Sequence, residues 1–142
     1  MTVEKIIKEF KKEFKFAEDK MEIIKIFEDK GKMTDEYIRF LKKPSVDNNF
    51  IAAPGAYLFY GHGKPYRVGR HLLNTRVRVL QHMRAHTNNG IDSIWKIKDA
   101  PDREIVLFNF TSIKHQHWAA AAEIYLENLL QHLLVIPSKR KG

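Results

Sequence analysis

Val3, Ile6, Ile7, Phe10 and Phe14 recur at steps of three and four, the spacing that gathers side chains on one helix face, and lysines and glutamates fill the positions between them. Residues 1–43 read as helical on this pattern. Met21, Ile23, Ile24 and Phe27 continue it after a break near Phe16 to Asp19, and Gly31 offers a C-terminal cap. A second helix is predicted from Thr34, whose hydroxyl can cap a turn opened by Asp35 and Glu36, through Leu41, and Pro44 ends it.

Ser45 to Pro54 reads as a connection and as the boundary of the main domain. Beyond it the period changes. Gly55 to Tyr60 has the content of a buried strand, Gly61, His62 and Gly63 form a turn, and Pro65 to Val68 completes a hairpin. Leu72 to His86 is Arg-rich and helical in period, with Leu73, Val77, Leu80 and Met83 facing inward until Asn88, Asn89 and Gly90 stop it. Ile94 to Ile97 fits either a short strand or a turn of helix. Ile105 to Phe110 is predicted as a strand, and Trp118 to Leu134, opening with Ala119 to Ala122, as a helix. Ser138 to Gly142 is a basic tail.

Charge adds a partner to this outline. Lys and Arg number 25 against 17 Asp and Glu, a net +8 that favours a polyanion, nucleic acid first and an anionic membrane surface second. The absence of cysteine excludes disulfides and thiolate zinc sites and suits a reducing interior. No apolar run approaches the roughly 20 residues that span a bilayer, and the N-terminus lacks the apolar core of a signal peptide. A soluble, cytoplasmic protein without membrane attachment is the expectation.

The middle of the chain carries candidate chemistry. Tyr57 falls on a strand, Arg67 at the end of the next, Arg78 and His82 four apart on one helix face, and Glu123 or Glu127 on a later helix. A phenol, guanidinium groups, an imidazole and a carboxylate are what phosphodiester hydrolysis requires: a base, an electrophile, and positive charge for the phosphorane-like transition state.

Gly55-Ala56-Tyr57, followed ten residues after the tyrosine by Arg67-Val68-Gly69 and then by Arg78-Val79-Leu80-Gln81-His82, resembles the two-part signature of the GIY-YIG nucleases, over about residues 52–134. The resemblance implies a DNA endonuclease. Tyr57 would activate or orient water, helped by the charge of Arg67 and Arg78. Arg78 would clamp the scissile phosphate, and His82 would hold phosphate or relay a proton. One divalent ion, magnesium by its chemistry, would bind the helix glutamate. Ala122-Glu123-Ile124-Tyr125-Leu126 fits the family pattern best, with Glu127 the alternative metal ligand one turn on.

Two departures stand out. The second motif has Arg67 where the family has a tyrosine, and Tyr66 is one residue out of register, which on a regular strand points it to the opposite face. Either Arg67 takes over a polarising role, Tyr66 returns through a bulge, or the site is impaired. The family's frequent C-terminal asparagine is also missing.

Tyr66, Arg70, His71, Asn74, Arg76 and Arg84 are expected to form a cationic, partly aromatic DNA-binding rim. The pairs His82/His86 and His115/His117 read as surface or capping residues in preference to a zinc site. The sequence thus predicts an α+β fold with a small, mostly antiparallel sheet of about three strands flanked by helices. The chain divides into an N-terminal helical extension (1–45), a GIY-YIG-like domain (46–137) and a basic tail (138–142). A homodimer is compatible with it. Two other classes stay open: an impaired GIY-YIG-like domain that binds nucleic acid without cutting it, and a protein-interaction module for an acidic partner.

Overall fold

The computed structural model describes residues 1–26, 53–79, 97 and 100–137, and these form an α+β fold around one antiparallel sheet. Its strands are β1 (Met21–Lys25), β2 (Gly55–Gly61), β3 (Lys64–His71) and β4 (Glu104–Phe110), in spatial order β1-β4-β2-β3. Two longer helices accompany them, α1 (Val3–Glu13) and α2 (Gln116–Leu129), with a helical segment at 75–79. The helix at Thr34, the Gly31 cap, residues 94–96 of the short apolar run and the basic tail lie outside the described residues, as do His82, Arg84 and His86.

The sheet has four strands rather than about three, and the additional one comes from the segment expected to be helical. α1 forms as its pattern predicts: Thr2 caps it by accepting from the Lys5 amide at 3.1 Å, and Val3, Ile6 and Phe10 are buried. Met21, Ile23 and Ile24 do not continue that helix. They follow a 3₁₀ turn over Lys15–Lys20 and pair with β4 from Met21↔Phe110 to Lys25↔Val106. Adjacent isoleucines suit a helix stripe or a strand equally, and the β4 edge supplies the hydrogen-bond partners that decide between them.

β2 and β4 are buried along their whole length because both faces of the sheet are covered. On one face Ala56, Leu58, Tyr60, Val68, Val106, Phe108 and Phe110 pack against α1 and α2 through Ile6, Phe10, Ala122 and Leu126. Phe10 lies 4.4 Å from both Phe14 and Phe108, ring centre to ring centre. On the other face Tyr57, Phe59, Tyr66, Ile105 and Leu107 pack with Ile26, Val79, Ile97 and Ala100. Within the 75–79 segment the inward residues are Thr75 and Val79, both fully buried, whereas Leu73 and Val77, expected inside, are exposed. Asn74 caps the segment by accepting from the Val77 amide, and the hydrogen bonds of Thr75 to Asn109 and Ala53 hold the Thr75 side inward.

Two features shape the hairpin. His62 and Gly63 both take positive φ, 54° and 74°, which makes the two-residue turn that matches strand twist. The Asp102 carboxylate accepts both of their amides, at 2.8 and 2.7 Å. Burial alone would raise the pKa of Asp102, but these donors outweigh it and hold its carboxyl below the usual range. Farther along, the register shifts between Phe59 and Tyr60: Phe59 pairs with Arg67 while Tyr60 pairs with Pro65. Tyr66 is therefore the extra residue of a β-bulge.

β3 is the outer strand on that side, and the chain itself covers it. The amides of Val135 and Ile136 donate to the carbonyls of Pro65 (3.2 Å) and Tyr66 (2.8 Å). α2 ends at Leu129, earlier than the predicted Leu134, which frees residues 133–137 to make this contact. Among the described residues no helix is long and apolar enough to cross a membrane.

Candidate active site

A cleft of about 210 Å³ opens where β2, β3, the 75–79 segment, α2 and the C-terminal strap meet. Tyr57, Arg67, Gly69, Arg70, Arg78, Glu123, Glu127 and Ile136 line it. Of the predicted catalytic set, Tyr57, Arg67, Arg78 and Glu123 are brought together here, and Glu127 joins them. His82 lies outside the described residues.

Tyr57 is the buried floor of the cleft, 2% exposed, and pairs across the hairpin with Gly69. A Cβ at position 69 would overlap the Tyr57 hydroxyl and ring, so the glycine leaves the space that the phenol fills. Burial pushes the phenol's pKa up; the charges of Arg67 and Arg78 and a hydrogen bond from the Arg78 side chain pull it down, and Glu123 adds to the rise. Burial prevails. At neutral pH Tyr57 is a protonated phenol whose oxygen accepts from Arg78, an orienting group before it is a base.

The bulge resolves where Tyr66 goes. A bulged strand sets two residues against one, so Tyr66 and Arg67 both lie on Tyr57's face of the sheet. Tyr66 does not take the rim position expected of it: at 5% exposure it belongs to the core beneath the site. Arg67 is half-buried and reaches the cleft.

The remaining rim residues divide by their local contacts. Arg70 is partly exposed at the rim, and its guanidinium donates to the Glu123 carboxylate in an ion pair. The His71 Nδ1 accepts from the amides of Leu73 (3.1 Å) and Asn74 (2.8 Å), and Asn74 caps the helical segment. Burial, then the Arg78 charge, lowers the His71 pKa, in keeping with a ring nitrogen used as an acceptor. Arg76, two residues from Arg78 and so on another side of the helical turn, is half-buried with Nε and Nη1 covered. Arg84 lies outside the described residues.

Sequence reasoning missed a buried pair that places Arg78. The Thr75 hydroxyl donates to Asn109 Oδ1 at 2.7 Å, with both residues fully buried, and the Thr75 amide donates to the Ala53 carbonyl at 2.9 Å. These bonds fasten the first turn of the helical segment to β4 and to the residues just before β2. Gly55 makes room for the same arrangement, since a Cβ there would overlap Asn109 Oδ1 and the Phe108 carbonyl. The signal was a lone amide, Asn109, inside an apolar strand.

Glu123 and Glu127 stand one turn apart on α2, both nearly buried and both lining the cleft. The charge of Glu123 reaches Tyr57 and adds to the rise of its pKa. Among the described residues no three His, Asp or Glu side chains gather into a metal cage. The donor set, one or two carboxylates beside an open cleft, fits a hard divalent cation that keeps waters and takes phosphate oxygens as its other ligands. Comparison with known protein families, curated proteins and solved structures finds no match to this chain.

Proposed function

We propose that this protein is a metal-dependent DNA endonuclease of the GIY-YIG type. The observation that supports the reading is the convergence of Tyr57, Arg67, Arg78 and Glu123 from four separate elements on one cleft, the residues to which the resemblance assigns roles. A net charge of +8 favours a polyanionic substrate.

Arg78, exposed at the cleft mouth, offers a planar fork of donors to the scissile phosphate and stabilises the charge that grows on its oxygens. Tyr57 positions the attacking water and accepts its proton once the phenol's own proton has been lost to bulk solvent, with Arg67 and Arg78 easing the negative charge that the phenol oxygen carries between the two steps. Arg67 takes the polarising part that the family gives to a tyrosine. Glu123, with Glu127 one turn behind, would hold a single magnesium ion, which when bound supplies Lewis acidity at the leaving oxygen. One such site cuts one strand per binding event, so double-strand cleavage would draw on two copies.

A second reading, DNA binding without cleavage, is favoured by one observation: Glu123 is already engaged by Arg70. Supercoiled plasmid and branched DNA incubated with the pure protein and magnesium test both readings. Nicking that Arg78→Ala and Glu123→Ala each reduce by about a hundredfold or more supports the nuclease. Salt-sensitive DNA binding with no nicking under magnesium or manganese supports the binding domain, and absence of nucleic-acid affinity overturns both.

A further inference from the structure

The Arg70–Glu123 pair occupies the carboxylate that the proposed reaction needs, and its two ends differ. Glu123 is fixed on α2 with its side chain 11% exposed, whereas the Arg70 side chain is 37% exposed at the end of β3. The arginine is thus the end able to leave. Somewhere for it to go exists: Arg70, Arg78 and Glu123 also line an outer groove of about 480 Å³ that adjoins the cleft. From that groove a phosphate would face two guanidinium groups, and a guanidinium binds phosphate as readily as carboxylate.

We propose that Arg70 is an exchangeable counter-ion, a positioning residue that blocks Glu123 toward divalent metal until a substrate phosphate draws it away, so that metal loading follows DNA binding. The proposal rests on the nuclease reading for the identity of the phosphate. A guanidinium hydrogen-bonded to a carboxylate oxygen competes with a cation for the same lone pairs and repels it. A phosphodiester in the outer groove removes both obstacles in one exchange.

Two measurements test it on the full-length chain. The first is manganese binding by calorimetry without DNA. Arg70→Gln should bind Mn²⁺ at least about fivefold more tightly than wild type, Arg70→Lys should stay near wild type, and Glu123→Gln should lose the site. The second is binding of a fluorescent duplex in EDTA. Glu123→Gln should bind DNA more tightly than wild type, with a salt slope steeper by about one as Arg70 becomes available. Manganese affinity in Arg70→Gln that is equal to or weaker than wild type overturns the proposal. So does unchanged DNA affinity in Glu123→Gln, which decides alone if circular dichroism shows Arg70→Gln unfolded. Cleavage by wild type with no effect of Arg70→Gln on metal leaves the nuclease reading and removes this one. Tighter metal binding by Arg70→Gln in a protein with no DNA affinity would show that Arg70 blocks Glu123 but overturns DNA as the exchanging phosphate, and with it the proposed order of loading.

Discussion

The phenol of Tyr57 occupies the volume that any side chain at Gly69, its partner across the β2–β3 hairpin, would need. Gly69→Ala is therefore expected to cost about 1–3 kcal/mol as an overpacked core site and to move the phenol out of the cleft. In a Tyr57→Ala background the same substitution should cost almost nothing. Chemical denaturation of the four proteins gives the coupling directly, and additive penalties would show that the two residues do not share that space.

The Thr75–Asn109 hydrogen bond is expected to set the position of Arg78. Thr75→Val or Asn109→Leu alone should cost about 1–3 kcal/mol, because each leaves a buried polar group short of a partner, and the double substitution should cost less than the sum. Single variants that stay folded should lose DNA cleavage through a lower kcat. Full activity in a folded Asn109→Leu would separate the pair from the site.

His71 predicts a pH dependence with a definite sign. Its folded-state pKa is lowered, first by burial and then by Arg78, so the folded state favours the neutral ring. The stability it contributes is present above the unfolded value near 6.5 and is lost as pH falls through the folded value. Wild type should therefore lose more stability than His71→Ala as pH is lowered from about 7.5 to 5.5. Parallel urea midpoints for the two proteins across that range would contradict a folded state that favours the neutral His71 ring.

Tyr66 and Arg67 share a face because of the bulge, and substitution should tell their contributions apart. Arg67→Gln removes a charge that favours ionisation of Tyr57 and is expected to slow cleavage by tenfold or more, in the range of general acid–base effects. Tyr66→Phe, at a buried position, should act mainly on stability. Single-turnover rates, read beside melting temperatures, check the division; a rate loss confined to Tyr66→Phe would reassign the motif.

Runs of bulky, β-branched and aromatic residues make β2, β3 and β4 legible in the amino-acid sequence, and the helical stripe of Val3, Ile6 and Phe10 does the same for α1. β1 is not legible there, because the pattern at Met21, Ile23 and Ile24 fits both periods and its partner strand lies far along the chain. The convergence of Tyr57, Arg67, Arg78 and Glu123 on one cleft is legible only through the resemblance to the two-part GIY-YIG signature. The bulge is not legible: it adds no residue type to the sequence, only a shift in pairing. Nor is the Arg70–Glu123 pair, because a tally of basic residues treats Arg70 as surface charge.

The strap of Val135 and Ile136 along β3 also fixes when the cleft can come into being. The phenol and guanidinium groups of β2 and β3 precede the carboxylates of α2, and the strap follows α2 in the chain. A polypeptide that stops short of residues 116–137 leaves the β3 edge open and lacks both Glu123 and Glu127. The lining of the cleft is thus complete only once residues 116–137 are in place, and the same residues cover the β3 edge against pairing with other chains.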